Sequence, residues 1–478
     1  MNFSLLTLEI AVAGLAMLLL VLDLWTAPSS KSLLGWVAVA GLLIILGASF
    51  FIAPGGPATG DSMLAQDGLA IFFQRFFLVA AIFVLLMANA SAERMPLGIG
   101  EFHVIALMAL AGMMLAAAAN DFVLVFVALE LISISFYVLV SFQRSRLQSL
   151  EAGVKYLILS ALAASFLVFG IALIFGTANQ TNFVRLAEGA SALDGNKLYW
   201  LGVLLVLFGL SFKIAAFPLQ VWAPDVYQGA PTPVTAFLAI GSKAAGFVLL
   251  LRVLFLAVPG LAVHWDKMLM LAAGVTILYG NLCAIPQRNL KRLLGYSSIS
   301  NAGYLLLGVA AVNASGSAAV LYYLAGYLFT LAAAFLVIGV IMKDNDDIGT
   351  LAGLGRRSPF LAGALTLVMV SLGGIPPLAG FLGKFLLFRA LIERGATDNG
   401  CYWLAGVAVI GVVISLYYYF AVIWTMYWAK DPPDLSPIVV PAQVEIPLAV
   451  CMAAMLYLGT FPGVVLASAT EAVKVLKF

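Results

Sequence analysis

The sequence predicts an all-α integral membrane protein with about 14 transmembrane helices. Of its 478 residues, 64% are hydrophobic and only 10% are charged, whereas charged residues make up about 25% of an ordinary soluble chain. Apolar runs long enough to cross a bilayer, at about 20 residues per crossing, recur from one end of the sequence to the other. No separate soluble domain fits between them.

Gly, Pro or charged residues separate the apolar runs, and each run is one predicted span. The runs lie near residues 5–24, 32–53, 68–89, 101–119, 121–143, 153–176, 198–228, 233–258, 267–285, 290–312, 316–342, 358–394, 402–429 and 442–467. An even number of spans places both termini on one side of the membrane, and the excess of Lys and Arg in cytoplasmic loops selects that side.

The basic loop residues are distributed unevenly. Connections after odd-numbered spans carry Lys31, Arg94, Arg144, Arg146, Lys155, Arg288, Lys291, Arg292, Lys343, Arg356, Arg357 and Lys430, whereas the opposite side carries only Arg185, Lys197, Lys267, Arg394, Lys474 and Lys477. Because the side richer in Lys and Arg is the cytoplasmic one, both termini are expected on the non-cytoplasmic side.

Two predicted spans are too long and contain proline. The run 198–228 is interrupted at Pro218, and the run 358–394 contains Pro376 and Pro377 after two glycines. Proline lacks an N–H and clashes with the carbonyl group four residues earlier, so each interruption frees backbone carbonyls that need protein or water as partners inside lipid. We expect broken helices with hydrated pockets beside Lys213 and near Lys384; the alternative is that both spans are only kinked or tilted.

The broken spans are the seventh and the twelfth, so they cross the membrane in opposite directions. This parity predicts two inverted five-helix repeats, an architecture in which paired interrupted helices indicate the transport site. The expected organisation of the single transmembrane domain is residues 1–100 for helices 1–3, 101–258 for the first repeat (helices 4–8), 267–429 for the second (helices 9–13) and 442–467 for helix 14.

Four ionisable residues, Glu130, Lys213, Lys243 and Lys384, are predicted near the membrane midplane. Each lies nine or more residues from the nearest end of its span, which is about 13 Å or more at the helical rise. A charge at that depth costs about 2.5 to 3.5 kcal/mol, so such residues usually line polar pathways. By contrast, Arg75, Arg252 and Arg389 lie within about two turns of a predicted end and are expected to extend to the interface.

The four midplane residues suggest a proton relay. Static buried ion pairs are the alternative reading, but three lysines cannot all pair with Glu130, so an unpaired lysine must lose its proton or be hydrated. Other chemistry lacks ligands: the three cysteines form no CxxC pair, the chain has two histidines, and no phosphate-binding loop is present. A net charge of +2 does not favour nucleic acid as a partner.

Several segments together resemble the antiporter-like membrane subunits of proton-pumping NADH:quinone oxidoreductase, respiratory complex I. They are LELIS at 129–133, EAGVKY at 151–156, FKIAAFP at 212–218, WAPDVYQGAPT at 222–232, SKA at 242–244 and KRLLGYSSI at 291–299. The resemblance covers nearly the whole chain and is greatest to the N-type members, because LELIS, EAGVKY and a lysine at position 384 occur together.

The resemblance implies roles for the midplane residues. Glu130 and Lys213 would be the coupled pair, Lys243 the central connector, Lys384 the terminal proton site, and Lys155 a secondary relay candidate. Gln220 and Asn301 stand where relatives usually have histidine. Since neither amide can carry a proton, the relay is expected to depend more on water here than in relatives.

The resemblance also implies partners and a location. The chain itself would bind no cofactor, while NADH, flavin, iron–sulfur clusters and quinone would belong to other membrane and peripheral subunits of the complex, in a bacterial inner membrane. Two alternatives remain: a subunit of a multisubunit cation/proton antiporter or membrane-bound hydrogenase, and a scaffold or quinone-binding subunit that does not translocate protons.

Overall fold

The computed structural model describes residues 3–27, 30–55, 60–92, 98–259, 262–342, 346–429, 434 and 436–478. Their regular elements are helices, and the only strand-like pairings in these ranges are three isolated β-bridges. Thirteen helices in the described part of the chain are long and apolar enough to cross a membrane. Together with the broken twelfth span, they give the fourteen crossings that the sequence predicts.

The main helices are named here in chain order. They are α1 (Thr7–Trp25), α2 (Ser32–Ser49), α3 (Gly68–Ala90), α4 (Ile99–Ala117), α5 (Phe122–Val140), α6 (Leu147–Ala178), α7 (Lys197–Ile214), α8 (Trp222–Gly229), α9 (Thr232–Ala257), α10 (Ala262–Ala284), α11 (Leu290–Ala310), α12 (Ala314–Ile341), α13 (Pro359–Gly373), α14 (Ala379–Gly395), α15 (Gly400–Trp428), α16 (Ala442–Thr460) and α17 (Gly463–Ala472). The seventh span comprises α7 and α8, and the twelfth comprises α13 and α14.

Matching backbone contacts mark the beginning of the fifth and tenth spans. Asp121 forms an isolated antiparallel bridge with Asn182, which joins the start of α5 to the chain beyond α6. Asn289 forms the same kind of bridge with Asp347, which joins the start of α11 to the chain beyond α12. Five spans separate the two sites, so they lie at opposite ends of the bundle, as an inverted repeat requires.

The two interruptions have the same backbone geometry. Ala215 and Gly374, which follow α7 and α13, both have left-handed conformations with φ of 55° and 77°. The flanking backbone hydrogen bonds also correspond one to one. At the first break they run from Ala215 N to Phe212 O, from Ala216 N to Ser211 O and from Leu219 N to Ala216 O. At the second break they run, in the same order, from Gly374 N to Ser371 O, from Ile375 N to Val370 O and from Leu378 N to Ile375 O. Residues 211–219 therefore match 370–378 in register, and the broken helices predicted at the prolines are confirmed.

Some predicted boundaries change. The sixth span is longer than predicted, because α6 begins at Leu147 rather than at residue 153. The fourteenth is shorter, because α16 ends at Thr460 and α17 starts as a separate helix after Pro462. Three residues in the loop-charge comparison, Arg94, Lys343 and Lys430, lie outside the described residues.

Candidate functional site

Lys213 lies one residue before the end of α7, at the edge of the first break. Its side chain is 4% exposed, and its Nζ donates to Ser133 Oγ at 2.9 Å and to Tyr156 Oη at 3.3 Å. Ser133 follows Glu130 by three residues on α5, so both side chains lie on the same helix face. Lys213 therefore contacts the helix face that carries Glu130, and a coupled action of the two residues stays a prediction.

Glu130 and Lys213 interact electrostatically but do not touch. The carboxylate of Glu130 is half-buried and contributes a Coulombic interaction with Lys213. No ion pair with an N–O distance of 4.0 Å or less joins them. The pair is therefore open, with the ammonium held by two hydroxyl groups instead of by the carboxylate.

Lys243 joins the two repeats. It follows a π-helical turn, Leu238–Ser242, within α9, and π-helical turns inside α-helices occur frequently at functional sites. The Lys243 ammonium donates to both the carbonyl and the hydroxyl oxygen of Ser298 on α11, and Ser298 Oγ lies 3.0 Å from Tyr227 Oη on α8. Lys243 is 2% exposed, so this contact lies inside the bundle.

Lys384 lies across the second break. Its Nζ donates to Leu372 O at 2.7 Å and lies 4.7 Å from the centre of the Tyr304 ring. Leu372 and Gly373 are the two residues whose carbonyls the sequence predicts to be freed, because the nitrogens four residues later belong to Pro376 and Pro377. Gly374 lies close by, since a Cβ there would be 3.0 Å from Lys384 Cδ. The lysine therefore satisfies one of the carbonyls that the break exposes.

None of the three midplane lysines forms a salt bridge within the part of the chain that the structure describes. Each donates to neutral hydroxyl or carbonyl groups instead. The alternative of static ion pairs at the midplane is therefore wrong for these residues. Of the three, Lys213 is the one whose charge also interacts with that of Glu130.

A network of buried hydroxyl and amide groups lies between Lys243 and Lys384. Asn301 Nδ2 donates to Ser297 O at 2.8 Å, and Asn301 Oδ1 accepts a 2.5 Å hydrogen bond from Tyr323 Oη. Ser297 Oγ lies 2.5 Å from Tyr419 Oη. The tyrosines could not be assigned to this network from the sequence, because they come from α12 and α15, and aromatic residues of apolar spans are more often packing residues.

A hydrated pocket beside Lys213 stays a prediction. A cavity of about 220 Å³ does lie at the first break, lined by Pro218, Ser211 and otherwise apolar side chains, but Lys213 is not part of its wall. The indole of Trp222 donates instead to Phe212 O at 2.8 Å. At the first break, the hydrogen-bond partner of the Phe212 carbonyl is therefore a protein side chain. Nearby, Gln220 is 5% exposed, and its Oε1 has no hydrogen-bond partner.

Lys155 lies in a separate, partly exposed ionic cluster. Its ammonium contacts Glu151 at 2.7 Å and Asp225 at 2.8 Å, and Asp225 also pairs with Arg292 at 2.5 Å. These residues and Gln228 surround a polar cavity of about 180 Å³. Asp225 was not a candidate from the sequence, since its partners are 70 and 67 residues away.

The expectation that three arginines extend to the interface is wrong for Arg252. Its side chain is fully buried, donates to Asp67 at 2.7 and 3.0 Å through two nitrogens, and donates to Ala117 O at 2.6 Å through Nε. A planar guanidinium fits such a bidentate carboxylate contact. Arg75 is half-buried, binds Ser49 O and lies over the Phe50 ring.

Arg389 is 64% exposed and pairs with Glu393 one turn away, and its extension to the interface stays a prediction. Among the described residues, no group of three or more His, Cys, Asp or Glu side chains could hold a metal ion. The expectation that this chain binds no cofactor stays a prediction.

Comparison with known proteins gives consistent results. The family described as NADH:quinone oxidoreductase/Mrp antiporter, transmembrane, matches residues 119–415. NADH-quinone oxidoreductase subunit N of Trichlorobacter lovleyi is 40% identical over 483 residues, which cover 99% of this chain and 98% of that protein.

Two solved structures show the same fold. A chain of respiratory complex I from Thermus thermophilus with bound aureothin superposes with a TM-score of 0.81 at 32% identity, covering 96% of this chain and 98% of that one. A chain of the Mrp complex from Dietzia sp. superposes with a TM-score of 0.85, covering 99% and 98%, but at 23% identity this likeness concerns the fold alone. This multi-pass membrane protein therefore belongs to the NADH:quinone oxidoreductase/Mrp antiporter transmembrane family.

Proposed function

We propose that this chain translocates protons as a membrane subunit of an NADH:quinone oxidoreductase, and that Glu130, Lys213, Lys243 and Lys384 carry the protons. The observation behind this proposal is the burial of three lysines that contact only neutral acceptors. A buried ammonium without a carboxylate in contact is costly. Each lysine is therefore suited to give up a proton and to take it back when a nearby charge changes.

Glu130 would act as the electrostatic switch on Lys213. Bringing a carboxylate to about 4 Å from an ammonium is worth about 4 kcal/mol at an effective dielectric constant of 20. Moving one proton against about 150 mV costs roughly 3.5 kcal/mol. The two energies are similar, so opening and closing this pair could drive one proton across.

The remaining residues would connect the two repeats. Lys243 contacts Ser298 on the second repeat, which supports its role as the central connector. Asn301 and its neighbours would order water between Lys243 and Lys384, and Lys155, in its ionic cluster, would be a secondary relay. Lys384 would pass the proton to the non-cytoplasmic side.

The redox chemistry would take place in other subunits. NADH, flavin, iron–sulfur clusters and quinone would bind to other membrane and peripheral subunits, and quinone reduction there would supply the energy. Lipid would surround the exposed apolar helix faces. Co-purification tests the assembly: flavin- and iron–sulfur-containing companions support this proposal, whereas a purely antiporter or hydrogenase set of companions would favour the related assemblies.

We further propose that helices α1–α3 within 1–100 form an N-terminal unit, that 101–258 and 267–429 are the inverted repeats, and that α16 is the last span. In a bacterial inner membrane, both termini would face away from the cytoplasm. Alkaline phosphatase fused to the C-terminus tests this orientation. The fused phosphatase should be active, because it folds only outside the cytoplasm. A well-expressed but inactive fusion would show that the termini face the cytoplasm.

The decisive experiment on proton transfer replaces Lys213 by Met in the whole complex. We expect normal assembly with loss of proton uptake in proteoliposomes, because Met keeps most of the length of the unbranched side chain but cannot carry a proton. A complex that assembles and still pumps with wild-type yield would indicate a scaffold subunit.

A further inference from the structure

The matched register of the two breaks relates residues beyond the breaks. Residues 211–219 correspond to 370–378 through the same turns and hydrogen bonds. Six residues further along α8 and α14, the same register pairs Asp225 with Lys384. Lys213, by contrast, corresponds to Leu372. The second repeat therefore carries its ionisable residue on the helix half after the break, and the equivalent position of the first repeat carries a carboxylate.

We propose that Asp225 is the proton-loading site of the first repeat, where a proton from the aqueous phase is taken up before it reaches Lys213. The inference rests on the proposed function, because it presumes that Lys213 carries protons. In the loading step, a hydronium ion in the cavity gives its proton to the Asp225 carboxylate, which leaves water and a neutral carboxyl group. The proton later leaves this group inward and restores the carboxylate.

Access to Asp225 is provided by the polar cavity of about 180 Å³ that it lines with Glu151, Lys155, Gln228 and Arg292. The side chain of Asp225 is 29% exposed, whereas that of Lys213 is buried. The cavity lies near the starts of α6 and α11 and at α8, so it opens at one end of the bundle. Asp225 is therefore accessible to water while Lys213 is not.

The partners of Asp225 allow it to be neutralised. Lys155 has a second carboxylate, Glu151, at 2.7 Å, and Arg292 has a second acceptor, Gln228 Oε1, at 3.1 Å. When Asp225 takes up a proton, each cation therefore keeps an acceptor. Leaving a charge with no partner is what makes breaking a buried ion pair costly. Lys155 would keep a carboxylate, and Arg292, which is partly exposed, would keep a neutral hydrogen-bond acceptor.

The route inward passes Tyr156. This residue follows Lys155 on α6, and its hydroxyl receives the hydrogen bond from Lys213 Nζ. Its ring packs edge-on against Trp222 at 5.2 Å, and Trp222 lies three residues before Asp225 on α8. Tyr156 thus contacts Lys213 directly and also packs against the helix that carries Asp225.

The alternative is that Asp225 only clamps α6, α8 and α11 together, and the pH dependence of the rate distinguishes the two roles. The assembled complex is reconstituted in proteoliposomes, and coupled quinone reduction and proton uptake are measured at pH 6 and pH 8. For Asp225→Asn we expect a rate about 100-fold below wild type at pH 8, the lower end of what a proton-transfer group contributes. The loss should become much smaller at pH 6, because a higher proton concentration compensates for the missing group.

Three further variants complete the experiment. Asp225→Glu should restore most of the activity. Asp61→Asn is the matched control, because Asp61 also contacts an arginine, Arg185, at 2.5 Å but at an exposed site. The Asp61→Asn complex should have the wild-type rate at both pH values. Glu151→Gln removes the second acceptor of Lys155 while leaving Asp225 in place, so it should slow the reaction at pH 8 more than at pH 6, which a clamp does not predict.

Several results would overturn the proposal. An equal fractional loss at both pH values in Asp225→Asn, or no loss at either, would show that Asp225 is not a loading site. If Asp225→Asn does not assemble, Glu151→Gln decides, and an unchanged pH profile there rejects the inference. Lys213→Met distinguishes a failure of the loading site from a failure of the proposed function. Normal pumping by Lys213→Met contradicts the proposed function. Loss of pumping in Lys213→Met together with normal pumping in Asp225→Asn contradicts only the loading site.

Discussion

The ammonium of Lys384 donates a 2.7 Å hydrogen bond to the carbonyl oxygen of Leu372 across the break in the twelfth span. The same side chain therefore satisfies the carbonyl that Pro376 leaves free and stands at the proposed terminal proton site. A neutral amine still has N–H groups to donate, so loss of the proton need not break this contact. Structure and proton transfer can thus be separated by choosing the substitution.

Lys384→Arg and Lys384→Met separate these two roles. Arg can still donate to Leu372 O but stays protonated at any working pH, so it should preserve assembly and lose pumping. Met should also lose pumping, to about a tenth of wild type or less, and should weaken assembly because Leu372 O loses its partner. Proton uptake and quinone reduction are measured in parallel in proteoliposomes. Wild-type proton-to-electron ratios in Lys384→Met would show that the exit lies elsewhere.

Glu130→Gln tests the electrostatic switch. The substitution keeps the volume and removes the charge, so the complex should assemble, and coupled quinone reductase activity should fall by about 10²-fold or more. Glu130→Asp should lose less activity, because it retains a carboxylate, although the shorter side chain places that group about one methylene further from Lys213. Normal pumping by the Gln variant would rule out Glu130 as the switch.

Asn301→Ala should cost less than either change, because Asn301 only orders its neighbours. It would lose the bonds to Ser297 and Tyr323, and we expect a reduction in pumping of about twofold to fivefold, corresponding to roughly 0.5 to 1 kcal/mol. Tyr323→Phe removes the same hydrogen bond from the other side and should have a similar effect. A complete loss in Asn301→Ala, with Tyr323→Phe unaffected, would contradict a shared water-ordering role.

Asp67→Ala tests the buried ion pair of Arg252. Because the fully buried guanidinium would lose its carboxylate, the complex should be destabilised by about 3 to 5 kcal/mol. Asp61→Asn, at the 87% exposed carboxylate paired with Arg185, should cost about 0 to 1 kcal/mol. Thermal unfolding of the detergent-solubilised complex measures both. Equal melting temperatures for the two variants would contradict the assigned role of Arg252.

Much of the candidate site could be predicted because the membrane restricts the sequence so strongly. Lys213, Lys243 and Lys384 stand out along apolar runs, since a charge at mid-depth is too costly to be accidental. The breaks at Pro218 and Pro376 were predictable for a local reason: proline cannot donate to the helix ladder whatever surrounds it. Depth, span number and helix interruption are therefore properties that the sequence by itself determined.

Which groups meet was decided only by the tertiary structure. Lys243 reaches Ser298 across 55 residues of sequence, and Arg252 reaches Asp67 across 185, so no periodicity within a span could indicate these contacts. Arg252 appeared to be an interface residue because its distance from a helix end was known and its neighbours were not. Partner choice depends on how helices pack against one another, and a buried polar group takes whichever partner that packing brings within about 3 Å.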